Sequence, residues 1–426
     1  LVSVVIPVWK PDLRLFKECV YSVFNQIYDN WEICIVDDCS NSRHVEAELE
    51  KFARQNVRVK YKLNTKHTHI SSTLNDGIKM SSGSYICFLD QDDLLSCYAL
   101  YQIVKAINDD RQLKWIYSDE DKISENGVRK SPHFKSDWNY DLLTSINYIS
   151  HLSCIERKTL QKVGQFRVGY EGSQDWDLYL RLSKFLKESE IHHIPEILYH
   201  WRIHRSSTSS HGVVKDYAIS SAKKALSSHF KSQEAEVTLS NESLGDNRWH
   251  VSFVHSSKPR ICMIVPTKDR LDLLEPCVDS ILTKTEYSNF ELLIIDNNSE
   301  EEKTRLYLNS LQDKRVMVYN DRKAFNHSRI MNDAVKRTQG DYVCFLNNDT
   351  EVISANWLCE MLGDAMRPEV GCVGAKLLYP NGEVQHAGVI IGLGGVAGHV
   401  KNCDRGFIRY DCKQNFSAIS GACMLM

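Results

Sequence analysis

The chain has 426 residues, 42% hydrophobic and 25% charged, which gives room for two or three globular domains with sizeable cores. Its net charge of −3 comes without a basic block, and that excludes the electrostatic footprint of a nucleic-acid-binding protein. The 14 cysteines include no C-x-x-C pair and fall mostly in apolar runs (Cys34, Cys87, Cys262, Cys344), so they argue against a zinc site or disulfide framework and for a reducing cytosol. No apolar run reaches the length of a spanning helix. The chain starts without Met and stops inside the apolar stretch Gly421-Ala422-Cys423-Met424-Leu425-Met426, so it reads as a fragment.

Strands are expected over 2–8, 31–36, 57–63 and 85–89, alternating with helices over 12–26, 43–54 and 71–80. That alternation predicts a parallel sheet. Asp37-Asp38-Cys39-Ser40 follows the second strand and reads either as a loop holding a base or ribose or as a helix N-cap. The fourth strand runs straight into Asp90-Gln91-Asp92-Asp93. Acids just past the carboxyl end of a buried parallel strand sit where open α/β sheets bind ligands. Asp90 and Asp92, two residues apart, point the same way on an extended chain and suit a hard cation such as Mg²⁺ or Mn²⁺. A solvated turn capping the next helix accounts for the same residues.

A helix over 98–108 and a strand over 114–117 lead to Ser118-Asp119-Glu120-Asp121, expected as a solvated acidic loop or as a surface near a sugar acceptor. Gln174 and Asp175 open a helix whose buried side should carry Leu178, Leu182 and Phe185. An acid in a first helical turn commonly serves the dipole, while Trp176 beside it offers a face for a sugar ring. His200-Trp201-Arg202-Ile203-His204-Arg205 reads as too irregular for a core strand and as an anion-facing lip before the run Ser206 to Ser210. A helix over 213–230, short strands over 234–240 and 248–254, and a linker at Ser256-Ser257-Lys258-Pro259 complete this part.

The same text then recurs about 258 residues later. Pro7 answers Pro266, Cys19-Val20 answers Cys277-Val278, and Asp37 answers Asp296. Asn75-Asp76, Gly83 and Cys87-Phe88-Leu89 return as Asn332-Asp333, Gly340 and Cys344-Phe345-Leu346, and the acid cluster returns as Asn347-Asn348-Asp349. This is a domain duplication, read as a first domain over 1–210, a connector over 211–258 and a second domain over 259–426.

Val4-Val5-Ile6-Pro7-Val8, Ile35-Val36-Asp37-Asp38-Cys39-Ser40, Leu89-Asp90-Gln91-Asp92-Asp93, Ser173-Gln174-Asp175-Trp176-Asp177 and His200-Trp201-Arg202, in this order, resemble a family-2 glycosyltransferase. Asp119-Glu120-Asp121-Lys122, Val384-Gln385-His386-Ala387-Gly388 and Gly394-Gly395-Val396-Ala397-Gly398-His399 further resemble tandem bacterial enzymes of O-antigen and surface-polysaccharide synthesis, of rhamnosyl-transferring type. The resemblance implies an α/β architecture of two tandem GT-A domains, Rossmann-like with mostly parallel sheets, the second incomplete at its C-terminus. It places Pro7, Val8 and Asp38 around the nucleoside, with Asp38 accepting from a uracil or thymine N3–H. Asp90 would face the ribose and phosphates, Asp92 would bind Mn²⁺ or Mg²⁺, and Asp175 would be the general base. His204, or else His200, would contact the metal or diphosphate, and Trp176 and Asp177 would face the acceptor.

In the second domain Thr267 and Asp296 fall at donor-binding positions and Asp349 at the metal position, whereas Asn297 replaces Asp38 and Asn347 replaces Asp90. No counterpart of Asp175 precedes the last residue, so this half is expected to be inert. Gln174 stands where the family usually has an acid, and the Gln-x-x-Arg-Trp signature of processive synthases is missing. The implied activity is inverting transfer from a UDP- or dTDP-sugar to a glycan or lipid-linked glycan, in the cytoplasm and open to peripheral association with the inner membrane face.

Three other readings stay open at this level. Nucleotidyl transfer would need a basic, Gly-rich loop where Trp9-Lys10-Pro11-Asp12 stands. A non-catalytic nucleotide- or sugar-binding scaffold fits the same residues. Gly392-x-Gly394-x-x-Ala397 matches a dinucleotide fingerprint but follows no first strand, which leaves loop packing as its explanation.

Overall fold

The computed structural model describes residues 1–203, 216–241, 247–392, 395–400 and 408–426. The chain divides into two compact units, Leu1–Glu234 with Leu239–His250 and Cys412–Asn415, and Ala235–Thr238 with Val251–Asp411 and Phe416–Met426. His204, Arg205, the serine run 206–210 and Gly394 lie outside the described residues. Among the described residues no helix is long and apolar enough to cross a membrane.

In the first unit β1 (Val2–Val8), α1 (Leu13–Phe24), β2 (Trp31–Asp37), α2 (Arg43–Gln55), β3 (Val59–Leu63), α3 (His69–Met80) and β4 (Tyr85–Phe88) alternate as expected. They continue into β5 (Leu94–Leu95), α4 (Ala99–Asp109), β6 (Trp115–Ser124), β7 (Arg129–His133), α5 (Tyr140–Ser145), β8 (Ser153–Glu156), α6 (Arg157–Val163), α7 (Gln174–Phe185), β9 (Ile191–Ile203) and α8 (Asp216–Ser232). The uncharged β1 takes the centre of the parallel part, paired with β2 and β4, because both of its faces can be buried. The sheet order is β3-β2-β1-β4-β8-β6-β9-β5, with β7 on β6. β8 runs antiparallel to β4 and β6, so the sheet is mixed beyond its four parallel strands. Helix α1 begins where the Asp12 carboxylate accepts from the Arg14 and Leu15 N–H groups, and it lays Phe16, Val20 and Val23 on the sheet.

Several expectations change here. Ser118-Asp119-Glu120-Asp121 is no solvated loop: it lies inside β6, and all four residues are buried. His200-Trp201-Arg202 is likewise part of a regular strand, β9, with Arg202 only 1% exposed. Both follow from long-range partners: β6 and β9 run parallel, so Asp119 and Asp121 meet His193 and His200, while Glu120 meets Lys135 and Arg202 meets Glu18. Leu178 and Leu182 are buried on α7, but Phe185, in its last turn, is 49% exposed. α8, read as part of a connector, belongs to the first unit.

Short strands β10 (Val237–Ser240) and β11 (His250–Phe253) precede the second unit's β12 (Ile261–Thr267), α9 (Leu271–Lys284), β13 (Phe290–Asp296), α10 (Glu302–Ser310), β14 (Val316–Asn320), α11 (His327–Val335), β15 (Tyr342–Leu346), α12 (Trp357–Ala365) and β16 (Val373–Gly374). Its sheet runs β14-β13-β12-β15, then Cys423–Leu425, then β16, repeating the first six places of the other sheet. Register repeats too. Val2 faces Trp31 and Tyr85, and Ile261 faces Phe290 and Tyr342. The repeated glycines serve one purpose: a Cβ on Gly83 would stand 2.7 Å from the Ser3 nitrogen, and one on Gly340 would stand 2.9 Å from the Cys262 nitrogen.

A buried glutamate fastens the same corner in each unit. Glu32 accepts from the Ser3 hydroxyl at 2.6 Å, the Ser82 hydroxyl at 2.8 Å and the Gly83 N–H at 3.2 Å, and it pairs with Lys60 at 2.7 Å. Glu291 pairs with Arg260 and accepts from the Thr338 hydroxyl at 2.9 Å. Burial pushes the Glu32 carboxyl up, but Lys60 and the serine donors outweigh it and hold it at about 2. Its folded value lies below the unfolded one, so it contributes stability above the ordinary glutamate range and loses that contribution as pH falls toward about 2. Glu32→Gln should cost about 1–3 kcal/mol at neutral pH and flatten the acid-side fall in stability, measured by urea unfolding across pH. An unchanged pH slope would refute this role.

Candidate functional site

The loops after β1, β2 and β4 gather at the carboxyl ends of the parallel strands, as the pairing of those strands requires. Gln91 clasps two of them: its Oε1 accepts from Trp9 N at 2.8 Å, and its Nε2 donates to Trp9 O at 3.3 Å. Beside it, Asp93 is buried and accepts from the Tyr199 hydroxyl at 2.5 Å and the Arg202 N–H at 2.7 Å. Burial pushes its carboxyl well up, with the charges of Asp92 and Asp90 adding. Arg202 spans the acid turn, donating to Asp92 O at 2.7 Å and to Glu18 at 2.8 Å.

Asp90 faces the opening. Its side chain keeps 44% of its surface, and His151 Nε2 stands 4.0 Å from its Oδ2. The protein wall raises the Asp90 carboxyl, His151 opposes, and the charges of Asp92 and Asp175 add; solvent at the open side tempers all of these. His151, absent from the sequence reading, stacks on Tyr199 at 4.6 Å and meets the edge of Trp201. Ligand atoms of Asp90, Asp93 and His151 lie within 4.8 Å of one another. Both oxygens of Asp93 already accept hydrogen bonds, so Asp90 and His151, with Asp92 on the same turn, are the groups that could hold a cation. Carboxylate oxygens with one imidazole fit Mn²⁺ or Mg²⁺.

At the end of β2, Asp37 is consumed internally, accepting from Ser40 N at 3.0 Å and from the Ser40 hydroxyl. Its counterpart Asp296, expected at a donor-binding position, is likewise buried and accepts from Ser299 N at 2.9 Å. Val8 turns its side chain into the core while Pro7 is half-buried, so of the two only Pro7 borders the open end. Asp38 is buried; its Oδ1 accepts from Thr68 N at 2.7 Å and the Thr68 hydroxyl at 2.9 Å, and its Oδ2 meets His67 Nδ1 at 2.7 Å. Burial alone would raise its carboxyl, but the Thr68 donors and His67 hold it below its usual value.

Helix α7 starts with Asp175 half-buried, its Oδ2 accepting from Asn147 Nδ2 at 2.8 Å and its Oδ1 from Trp176 N at 2.8 Å. Trp176 and Asp177, expected to face an acceptor, turn inward. Trp176 is 1% exposed and donates from Nε1 to Leu143 O at 2.7 Å, so it has no ring face to offer. Asp177 is clamped between Arg167 and Arg181, the partners its burial demands. His200 pairs with Asp121 at 2.6 Å.

In the second unit Thr267 is buried, its hydroxyl accepting from Asn348 Nδ2 at 3.1 Å, and Asp349 is exposed at the end of β15. Asn297 is buried and donates to Asp321 and to the Lys323 carbonyl.

The profile described as "Glycosyl transferase family 2" matches residues 3–164 and 262–424. The chain is 42% identical to the uncharacterized protein y4gI of Sinorhizobium fredii, over all of this chain and 48% of that protein. It is 39% identical to the O-antigen biosynthesis protein RfbC of Myxococcus xanthus, over 94% of this chain and 31% of that one. It thus spans less than half the length of either curated relative. The solved structure of S. aureus TarS 1-349 in complex with UDP-GlcNAc overlays with a TM-score of 0.44 at 15% identity, over 54% of this chain and 66% of that one.

None of these matches bears on what lies beneath the cluster. Lys135 is fully enclosed, and its Nζ meets Glu120 at 3.3 Å and donates to the carbonyls of Ile149, at 2.6 Å, and His151. Glu120 accepts from His151 N at 3.0 Å. Burial pushes the Glu120 carboxyl up, but Lys135 and His133 hold it at about 2. Lys135→Met should therefore destabilise the protein by about 3–5 kcal/mol in denaturant unfolding, because an uncompensated charge stays behind, and adding Glu120→Gln should recover much of the loss. A single variant as stable as the parent would show that the pair is not sealed from water.

Proposed function

We propose, from the premise that the chain belongs to glycosyl transferase family 2, that its first unit transfers a sugar from a nucleoside diphosphate sugar to a glycan hydroxyl with inversion. The observation that carries this is one loop that serves two carboxylates of unlike setting: Asn147 Nδ2 donates to Asp175 at 2.8 Å, and His151 Nε2, farther along the same loop, stands 4.0 Å from Asp90. Asp175 takes the proton of the acceptor hydroxyl as its oxygen attacks the anomeric carbon. The bond from that carbon to the diphosphate oxygen breaks on the opposite face, and configuration inverts. Proton removal of this kind contributes about 10²- to 10⁴-fold. A divalent ion, when bound, neutralises charge on the departing diphosphate. Asp90, Asp92 and His151 are the residues that would hold it, and Asp38 would stand at the nucleoside end.

The donor is a UDP- or dTDP-sugar, and the acceptor a glycan or lipid-linked glycan of a surface polysaccharide. The O-antigen biosynthesis protein among the relatives supports that setting. The second unit keeps the frame, but Asn297 and Asn347 replace two of its carboxylates, so transfer is assigned to the first unit.

Release of nucleoside diphosphate from a panel of nucleotide sugars, with Mn²⁺ and with chelator, tests this reading. Asp175→Asn should lower turnover about 10²- to 10⁴-fold while nucleotide binding persists, and Asp92→Asn should weaken metal-dependent release. Full activity in Asp175→Asn would sink the assignment, and no release from any donor would leave a binding scaffold.

A further inference from the structure

Asp38 sits under a lid of its own neighbours. Thr68 supplies two donors to one oxygen and His67 covers the other, so only 4% of the Asp38 side chain is exposed. The His67 ring keeps 37% of its surface. It stacks on Trp9 at 4.9 Å with 26° between the planes and meets the edge of His69 at 4.3 Å. Trp9 is itself 48% exposed, with Lys10 Nζ 5.0 Å from its ring centre and its backbone fixed by Gln91. The open surface above Asp38 is therefore an indole and an imidazole, not a carboxylate.

We propose that His67, oriented by Asp38, is the group that reads the Watson–Crick edge of the nucleobase, and that Asp38 is a positioning residue. This rests on the reading that the first unit binds a nucleoside diphosphate. An ionised carboxylate only accepts, so Asp38 fixes a proton on His67 Nδ1 and leaves Nε2 of the neutral ring as an acceptor. Uracil and thymine present N3–H as a donor, whereas cytosine presents N3 as an acceptor. Nε2 therefore favours the first two and rejects the third.

The second unit lacks this reader. Counted from its shared register, Ala324 stands for His67, Phe325 for Thr68 and Asn297 for Asp38, and the Asn297 amide is spent on Asp321 and Lys323. Only one pyrimidine-selective site per chain is expected.

The test is calorimetric titration of the full chain with UDP, dTDP and CDP near pH 8, above the ordinary imidazole range. His67→Ala should weaken UDP and dTDP about tenfold and CDP little, erasing the discrimination. Asp38→Asn turns an amide N–H toward Nδ1, moves the ring proton to Nε2 and should shift preference toward CDP. In the His67→Ala background Asp38→Asn should change nothing further. If Asp38 touched the base itself, Asp38→Asn would weaken UDP equally in both backgrounds, and the proposal would fall. Should Asp38→Asn fail to fold, unchanged UDP binding in His67→Ala overturns the proposal alone. A parent chain that binds none of the three nucleotides overturns both this proposal and the donor reading on which it rests.

Discussion

A carboxylate and an ammonium enclosed side by side, Glu120 and Lys135, set the geometry of the first unit's open end. Such a pair gives little net stability over an apolar pair of the same volume, so its effect is placement. Lys135 gathers the carbonyls of Ile149 and His151, and Glu120 takes the His151 N–H. The loop carrying His151 is thereby drawn down onto β6 and its imidazole delivered beside Asp90. The acids on either side act the same way, Asp119 on His193 at 2.8 Å and Asp121 on His200 at 2.6 Å. Three consecutive acids on one strand thus pin a loop, a neighbouring strand and the rings that strand carries.

The two units show which parts of such a frame survive duplication. Cys19 and Cys277 both reach the carbonyl past the end of the fourth parallel strand, Asp90 O and Asn347 O, and Ser22 and Ser280 both bridge the unit's first helix to the segment after that turn, accepting from Leu95 N and Val352 N. Asp37 and Asp296 both close the turn after the second strand. These contacts satisfy backbone groups that every copy of the fold must satisfy, whatever it binds. Groups at or just beneath the open end differ: Asp38 against Asn297, Asp90 against Asn347, His67 against Ala324. The duplication preserved the frame and released the chemistry.

Much of this was legible in the sequence. Apolar strands and amphipathic helices announced the parallel sheet from β1 to β4, and the offset between Pro7 and Pro266 announced the second copy. Asp38, Asp90 and Asp175, which the ordered motifs singled out, lie past β2, past β4 and in the first turn of α7. The reading failed wherever burial and charge coincide. Ser118-Asp119-Glu120-Asp121 looked solvated because its partners, Lys135 and His193, are distant in sequence and no local pattern links them. Trp176 looked available because nothing beside it reveals that Leu143 O takes its N–H. His151 lay outside every motif, in a segment whose only local signal was a polar residue among Ile149, Leu152 and Cys154.

The Gln91 clasp has a mechanical consequence. With one amide bonded to both the N–H and the carbonyl of Trp9, the loop after β1 and the acid turn after β4 form a single stiff piece. Moving either end drags the other. In the second unit the shorter Asn348 donates to the Thr267 hydroxyl, so among the described residues its amide gives the corresponding pieces one bond instead of two. A substitution that shifts the loop after β1 in the first unit would therefore shift the acid turn as well, whereas in the second unit the two ends can drift apart in evolution one substitution at a time.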